Sequence, residues 1–193
     1  KTQSALLEAM EEKQVTVDGK THRLASPFMV IATENPLGFV GTYPLPEAQL
    51  DRFLLKFVIG YPQESDEVKI IYDRKKENPL DSVRAVVSAR ELLDVQQLVA
   101  NMHVDEDICE YIVSLVQATR SNKNIILAAS PRASIALIKA ASANALIDGR
   151  NYVTPSDVAQ MYKYVVGHRI VLSAEARLDK LTNYEILDDI LKS

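Results

Sequence analysis

One cysteine, Cys109, stands in 193 residues. A lone thiol excludes an internal disulfide framework and fits a reducing compartment. No apolar run approaches the ~18 residues of a membrane-spanning helix, and no signal peptide opens the chain. Positive charge is not in excess either: the formal net charge is −4, so no overall field draws the chain to nucleic acid. His22, His103 and His168 show no metal-ligand spacing with Cys109 or with one another, so no metal site is predicted and all three read as structural or surface residues. One further absence is chemical. No stretch matches Gly-x-x-x-x-Gly-Lys-Ser/Thr, the loop whose backbone amides and lysine cradle phosphates. No apolar strand ends in acidic residues that could stand beside such a loop.

What is there begins with a core. A 47% hydrophobic content over this length can bury one sizeable core or two small ones. Residues 28–32 form a short apolar run between Pro27 and Pro36, the pattern of a fully buried strand. At its C-terminal end it delivers Thr33, Glu34 and Asn35, and in open α/β sheets ligands sit at that end. A second buried run, residues 53–59, follows directly on Asp51-Arg52. Two strand ends therefore carry an isolated amide and an isolated arginine.

The remaining elements follow from period and punctuation. Residues 2–12 place Ala5, Leu6, Ala9 and Met10 on one helical face. Residues 14–24 read as a β-hairpin turning on Asp18-Gly19, which supplies the positive φ angles of a type I′ turn. One helical turn at 47–51 presents Arg52 at its end, where Asp51 or Glu47 is a possible surface partner. From Pro62 onward the period is helical. Glu64, Asp66 and Glu67 begin a helix that ends in Arg74, Lys75 and Lys76, a distribution that complements the dipole. Ser88-Ala-Arg-Glu91 is a capping box, and Asp105 opens a helix whose stripe is Ile108, Ile112, Leu115 and Val116. Ser130-Pro131 starts a helix with Ile135, Leu137, Ile138, Ala141, Ala145 and Leu146 along it, stopped by Gly149. Thr154-Pro-Ser-Asp157 starts another, Ile170 to Leu172 reads as strand, and a tail helix follows from Thr182. Tyr152, Tyr162 and Tyr164 read as helix packing.

Arg132 is the physical anomaly. It lies in the first turn of its helix, so a cation faces the positive end of the dipole, at a cost of ~0.3–1 kcal/mol. A bound anion would resolve this, since helix N-termini bind phosphates; a guanidinium swung into solvent is the alternative. Asn35 is likewise open between a turn-starting cap before Pro36 and an amide that donates and accepts hydrogen bonds without adding charge.

Ala-Thr-Glu-Asn-Pro at 32–36, Gly-Thr-Tyr-Pro-Leu-Pro-Glu-Ala-Gln-Leu-Asp-Arg-Phe at 41–53 and Ser-Pro-Arg-Ala-Ser at 130–134 together resemble the MoxR family of AAA+ ATPases, in the family's order. The resemblance covers residues 1 to about 176. It implies that Asn35 takes the sensor 1 position and orients the attacking water, that Arg52 is an arginine finger acting in trans, and that Arg132 is the nucleotide-binding sensor 2. The implied fold is an α/β partial P-loop ATPase core at 1–78, with a sensor 1 strand, an arginine-finger strand and the β-hairpin. An all-α AAA+ lid domain follows at 79–193. The hairpin is either turned towards a ring's pore or a solvent-side element without contacts.

In the family the phosphate loop and its acidic strand lie upstream of the helix that begins here. The opening Lys-Thr-Gln, without Met, agrees with a chain cut from a longer protein. The resemblance thus implies ATP and Mg2+ as cofactors of the full-length parent, with none tightly bound to this chain. It also implies a cytoplasmic ring, a hexamer, that remodels client protein complexes, with von Willebrand A-domain proteins among its partners. A DNA-linked AAA+ machine is the nearest competitor, but Lys13, Lys20 and Arg23 on the hairpin are offset by Asp18 and Glu12. A non-catalytic helical interaction module is the other, and it leaves Arg132 unexplained.

Overall fold

The computed structural model describes residues 2–34, 45–76 and 78–192. The chain opens with α1 (Thr2–Glu12), which runs straight into the hairpin of β1 (Gln14–Val17) and β2 (Lys20–Arg23). The register pairs Val17 with Lys20, and Asp18 and Gly19 both take positive φ, 50° and 75°, as the Asp-Gly turn predicts. Glu8 of α1 anchors the hairpin by accepting from the Thr16 hydroxyl at 2.6 Å.

Next come α2 (Glu47–Leu50), α3 (Glu64–Lys76), a 3-10 turn at Pro79–Ser82 and α4 (Ala89–Ala100). α4 carries the predicted capping box: Ser88 N–H donates to Glu91 Oε2 at 2.7 Å, and Glu91 N–H donates to Ser88 Oγ at 3.2 Å. The elements α5 (Glu106–Ser121), β3 (Ile125–Leu127), α6 (Pro131–Ile147), α7 (Pro155–Val166), β4 (Val171–Leu172), α8 (Ala174–Leu178) and α9 (Asn183–Lys192) complete the chain.

The buried core lies almost wholly in this last group. Ile112, Leu115 and Val116 of α5 meet Leu137 and Ala141 of α6, Val158, Tyr162 and Val165 of α7, and Ile186 and Leu187 of α9. Small side chains at Ala133, Ala140, Ala141 and Ala145 let α6 and α7 come close together. Tyr162 is fully buried, and its hydroxyl donates to the Leu115 carbonyl at 3.0 Å, so its polar tip is satisfied. Gly149, at φ 76°, ends α6, its N–H donating to the Leu146 carbonyl.

Two expectations need correction. Residues 28–32 and 53–59 join no ladder among the described residues; Met29, Ile31, Val58 and Ile59 are three-quarters or more exposed. A strand buried on both faces exists only where neighbours supply hydrogen bonds and cover, and the described residues include no such neighbours. The helical domain is not strictly all-α, because β3 and β4 form a short antiparallel ribbon that pairs Ile125 with Leu172. Ile135 of α6 is 57% exposed and lines a cleft.

Candidate functional site

The cleft has a volume of about 260 Å³ and lies between the end of α1, the segment after α2, Arg169 and the face of α6 that carries Arg132, Ile135 and Lys139. Four cationic side chains line it, Arg52, Arg132, Lys139 and Arg169, against two carboxylates, Glu11 and Asp51. That balance suits an anion. Lys139 makes no ion pair among the described residues.

Local sequence accounts for each placement. Pro46 precedes α2, whose single turn closes with Asp51 N–H on the Glu47 carbonyl at 3.0 Å. Asp51, Arg52 and Phe53 then leave that turn in three directions. Ser130 caps α6, its hydroxyl accepting from Arg132 N–H at 3.2 Å, and Pro131 follows at the first helical position. Arg132 is therefore held in the first turn, beside the cleft.

Arg52 and Arg132 meet on one carboxylate. Arg52 bonds Glu11 Oε2, and Arg132 Nη2 lies 3.0 Å from Glu11 Oε1. Their guanidiniums, Arg52 foremost, hold the Glu11 carboxyl below the usual carboxylate range against the opposing effect of burial. The anion that a first-turn cation calls for is, in this structure, a side chain of the same protein. Asp51 and Glu47 stood as possible surface partners of Arg52; it pairs with Glu11 instead, across the cleft.

Asp51 is committed elsewhere. It accepts from Ser130 Oγ at 3.0 Å and from Arg169 Nε at 2.9 Å. The Arg169 side chain is 3% exposed and also donates to the carbonyls of Phe53 at 2.6 Å, Leu54 at 3.3 Å and Val165. Burial lowers its pKa while Asp51 raises it. His168 places Nε2 3.0 Å from the Phe53 carbonyl, and burial, aided by neighbouring Arg169, pushes its pKa down to about 4. Lys56 extends the seam: its N–H donates to the Tyr164 carbonyl at 2.9 Å, and its ammonium pairs with Glu34 at 3.1 Å.

Of the three predicted site residues, the structure brings Arg52 and Arg132 to the same cleft. Asn35 lies outside the described residues, although its neighbour Glu34 is tied to the segment after Arg52 through Lys56. Sequence reasoning missed Glu11, Asp51 and Arg169 as a connected set. A signal was available for Glu11: it is a carboxylate in the last turn of a helix, where the dipole disfavours it.

With this geometry in place, comparison with known proteins defines the class. Residues 1–55 match the model of the ATPase family associated with various cellular activities (AAA), and residues 117–190 match that of the AAA lid domain. The chain is 46% identical over its whole length to the uncharacterized protein YeaC of Bacillus subtilis, spanning 60% of it. It is 40% identical to the chaperone MoxR1 of Mycobacterium tuberculosis, again over its whole length, spanning 53% of that protein. The crystal structure of a candidate ATPase from Cytophaga hutchinsonii superposes with a TM-score of 0.91 at 36% identity, covering 98% of this chain and 60% of the other. The chain thus combines part of an AAA+ core with an AAA lid. Within that class it belongs to the MoxR family, and it spans little more than half the length of the curated relatives it matches.

Proposed function

We propose that this chain is the C-terminal part of a MoxR-type ATP hydrolase, in which Arg52 and Arg132 bind one phosphate group of ATP. The observation that carries this is their convergence: two guanidiniums from separate elements reach the two oxygens of one carboxylate inside a cleft with surplus positive charge. Planar guanidiniums match a phosphate as they match a carboxylate, and a phosphate offers more charge and more acceptors. Arg52 acts as the arginine finger across a subunit boundary, Arg132 as sensor 2, and Asn35 as sensor 1. Because the two arginines share one anion, they serve the same nucleotide.

The cleft suits a phosphate better than Mg2+. Both of its carboxylates are already engaged by arginines, so its donors offer no free oxygens for a hard cation. A metal and the remaining phosphate contacts belong with a phosphate loop, which residues 1–193 do not contain. When bound, the nucleotide supplies the phosphoryl group; the residues described here orient it and lay positive charge beside it.

In the same reading the protein is a cytoplasmic ring, a hexamer, that remodels client protein complexes, von Willebrand A-domain proteins among its partners. The chaperone name of the mycobacterial relative supports client remodelling. We divide the chain at 78/79 into core and lid; the concentration of buried core residues between Ile108 and Ile190 supports that division. Among the described residues no helix is long and apolar enough to cross a membrane.

Steady-state hydrolysis and nucleotide titration on the complete ATPase test the reading. Arg52→Ala should bind ATP nearly normally and hydrolyse it on the order of a thousandfold more slowly, the scale of arginine fingers elsewhere. Arg132→Ala should weaken both binding and hydrolysis. Mixing Arg52→Ala subunits with subunits that lack a working phosphate loop should restore part of the activity. Wild-type hydrolysis by both arginine variants would refute the proposal, and mixed rings without rescue would refute action in trans.

A further inference from the structure

Glu11 and Arg132 each sit at the wrong end of their own helix. A carboxylate in the last turn of α1 faces the negative pole, and a cation in the first turn of α6 faces the positive one. Neither helix asks for the residue it has. The two suit each other, and Arg52 completes the set.

We propose that Glu11 is the resident counter-anion of Arg52 and Arg132, which occupies both guanidiniums in the cleft and yields them to an entering phosphate. The inference rests on the phosphate reading of the cleft. Two arginines brought to one place without an anion repel each other and splay; Glu11 Oε2 bonds Arg52 while Glu11 Oε1 lies 3.0 Å from Arg132 Nη2. A phosphate would draw on the same N–H groups, so carboxylate and phosphate exclude each other there. The Glu11 side chain is 35% exposed and can swing into water. Asp51 cannot, since buried Arg169 and Ser130 hold it. Arg52 Nε is buried and has no hydrogen-bond partner among the described residues.

A competitor and a scaffold predict opposite signs. In the complete ATPase loaded with ADP, affinity for inorganic phosphate should be measured for wild type, Glu11→Gln and the Glu11→Gln/Arg132→Ala double variant. Glu11→Gln keeps the shape and removes the charge. It should bind phosphate about twofold to fivefold more tightly, the scale of a partly exposed ion pair, and the double variant should lose that gain. Unchanged or weaker binding by Glu11→Gln would overturn the role. Glu11→Asp, too short to reach both arginines, should shift affinity in the same direction by less, and it serves if Glu11→Gln fails to fold. Failure of both to fold would make Glu11 a structural requirement and overturn its role as an exchangeable anion. A wild-type protein that neither hydrolyses ATP nor binds phosphate would bring down the phosphate reading beneath it. Activity in the wild type with Glu11→Gln unmoved would bring down Glu11 alone.

Discussion

Asp51→Ala tests how the arginine-bearing turn is fastened to the helical domain. The substitution removes the only carboxylate that pairs with Arg169 among the described residues, and the Arg169 side chain is 3% exposed. Unpairing a buried charge costs ~3–5 kcal/mol. Two features reduce that figure. Arg169 keeps the carbonyls of Phe53, Leu54 and Val165, and the Asp51 side chain is 19% exposed. We therefore expect a loss of about 2–4 kcal/mol in folding stability. Arg169→Leu removes the charge but takes the Arg169 donor from the Leu54 carbonyl and leaves the Phe53 carbonyl with His168 alone, and should cost about as much. The double variant has no stranded charge, so its loss should fall short of the summed single losses by about 2 kcal/mol. Urea unfolding of the four proteins, followed by far-UV circular dichroism because the chain has no tryptophan, gives the cycle. Single losses that add to within ~0.5 kcal/mol would refute a direct pair across this seam.

His168 gives a pH signature at the same seam. Its pKa falls from the ordinary ~6.5 to about 4 on folding, so between those values the unfolded chain binds more protons and stability is lost as pH falls, levelling off below about 4. Screening at a half-buried ring reduces the full gap to about 1–2 kcal/mol; unfolding at pH ~7.5 and ~4.5 should show that excess loss in wild type relative to His168→Phe, and equal losses would refute it. The 193-residue chain by itself should not bind ATP with a dissociation constant below ~1 mM, because two partly exposed arginine contacts at ~1.5–3 kcal/mol each barely offset an association cost of at least ~4 kcal/mol. Calorimetric titration showing low-micromolar binding would refute this and reveal a second phosphate site in the chain.

Most of the helical domain was legible because its signals are local. Ser88-Glu91, Ser130-Pro131 and Gly149 each mark a helix end through neighbours a few residues away, and all three act as read. The stripe of α5 was legible for the same reason. Residues 28–32 and 53–59 were not, because a buried strand is a statement about its neighbours as much as about itself. Their apolar composition records a cover that the described residues do not provide.

The site was legible one residue at a time. Arg52 and Arg132 stood out by motif, and Arg132 also by its misfit with a helix dipole. What joins them could not be seen along the chain, because Glu11 is 41 residues from one and, across the hydrogen bond to Arg132, 121 from the other. Arg169 was passed over for a like reason: its partner Asp51 lies 118 residues away. Three consecutive residues supply the organising logic. Asp51 binds the helical domain through Arg169 and Ser130, Arg52 turns into the cleft towards Glu11, and the Phe53 carbonyl accepts from Arg169 and lies against His168. Successive Cα atoms are only ~3.8 Å apart, so the cation offered to an anion and the anchor buried in the lid belong to one short turn. Asp51 was weighed in the sequence only as a neighbour for Arg52. Its work is to fix the backbone from which Arg52 reaches out.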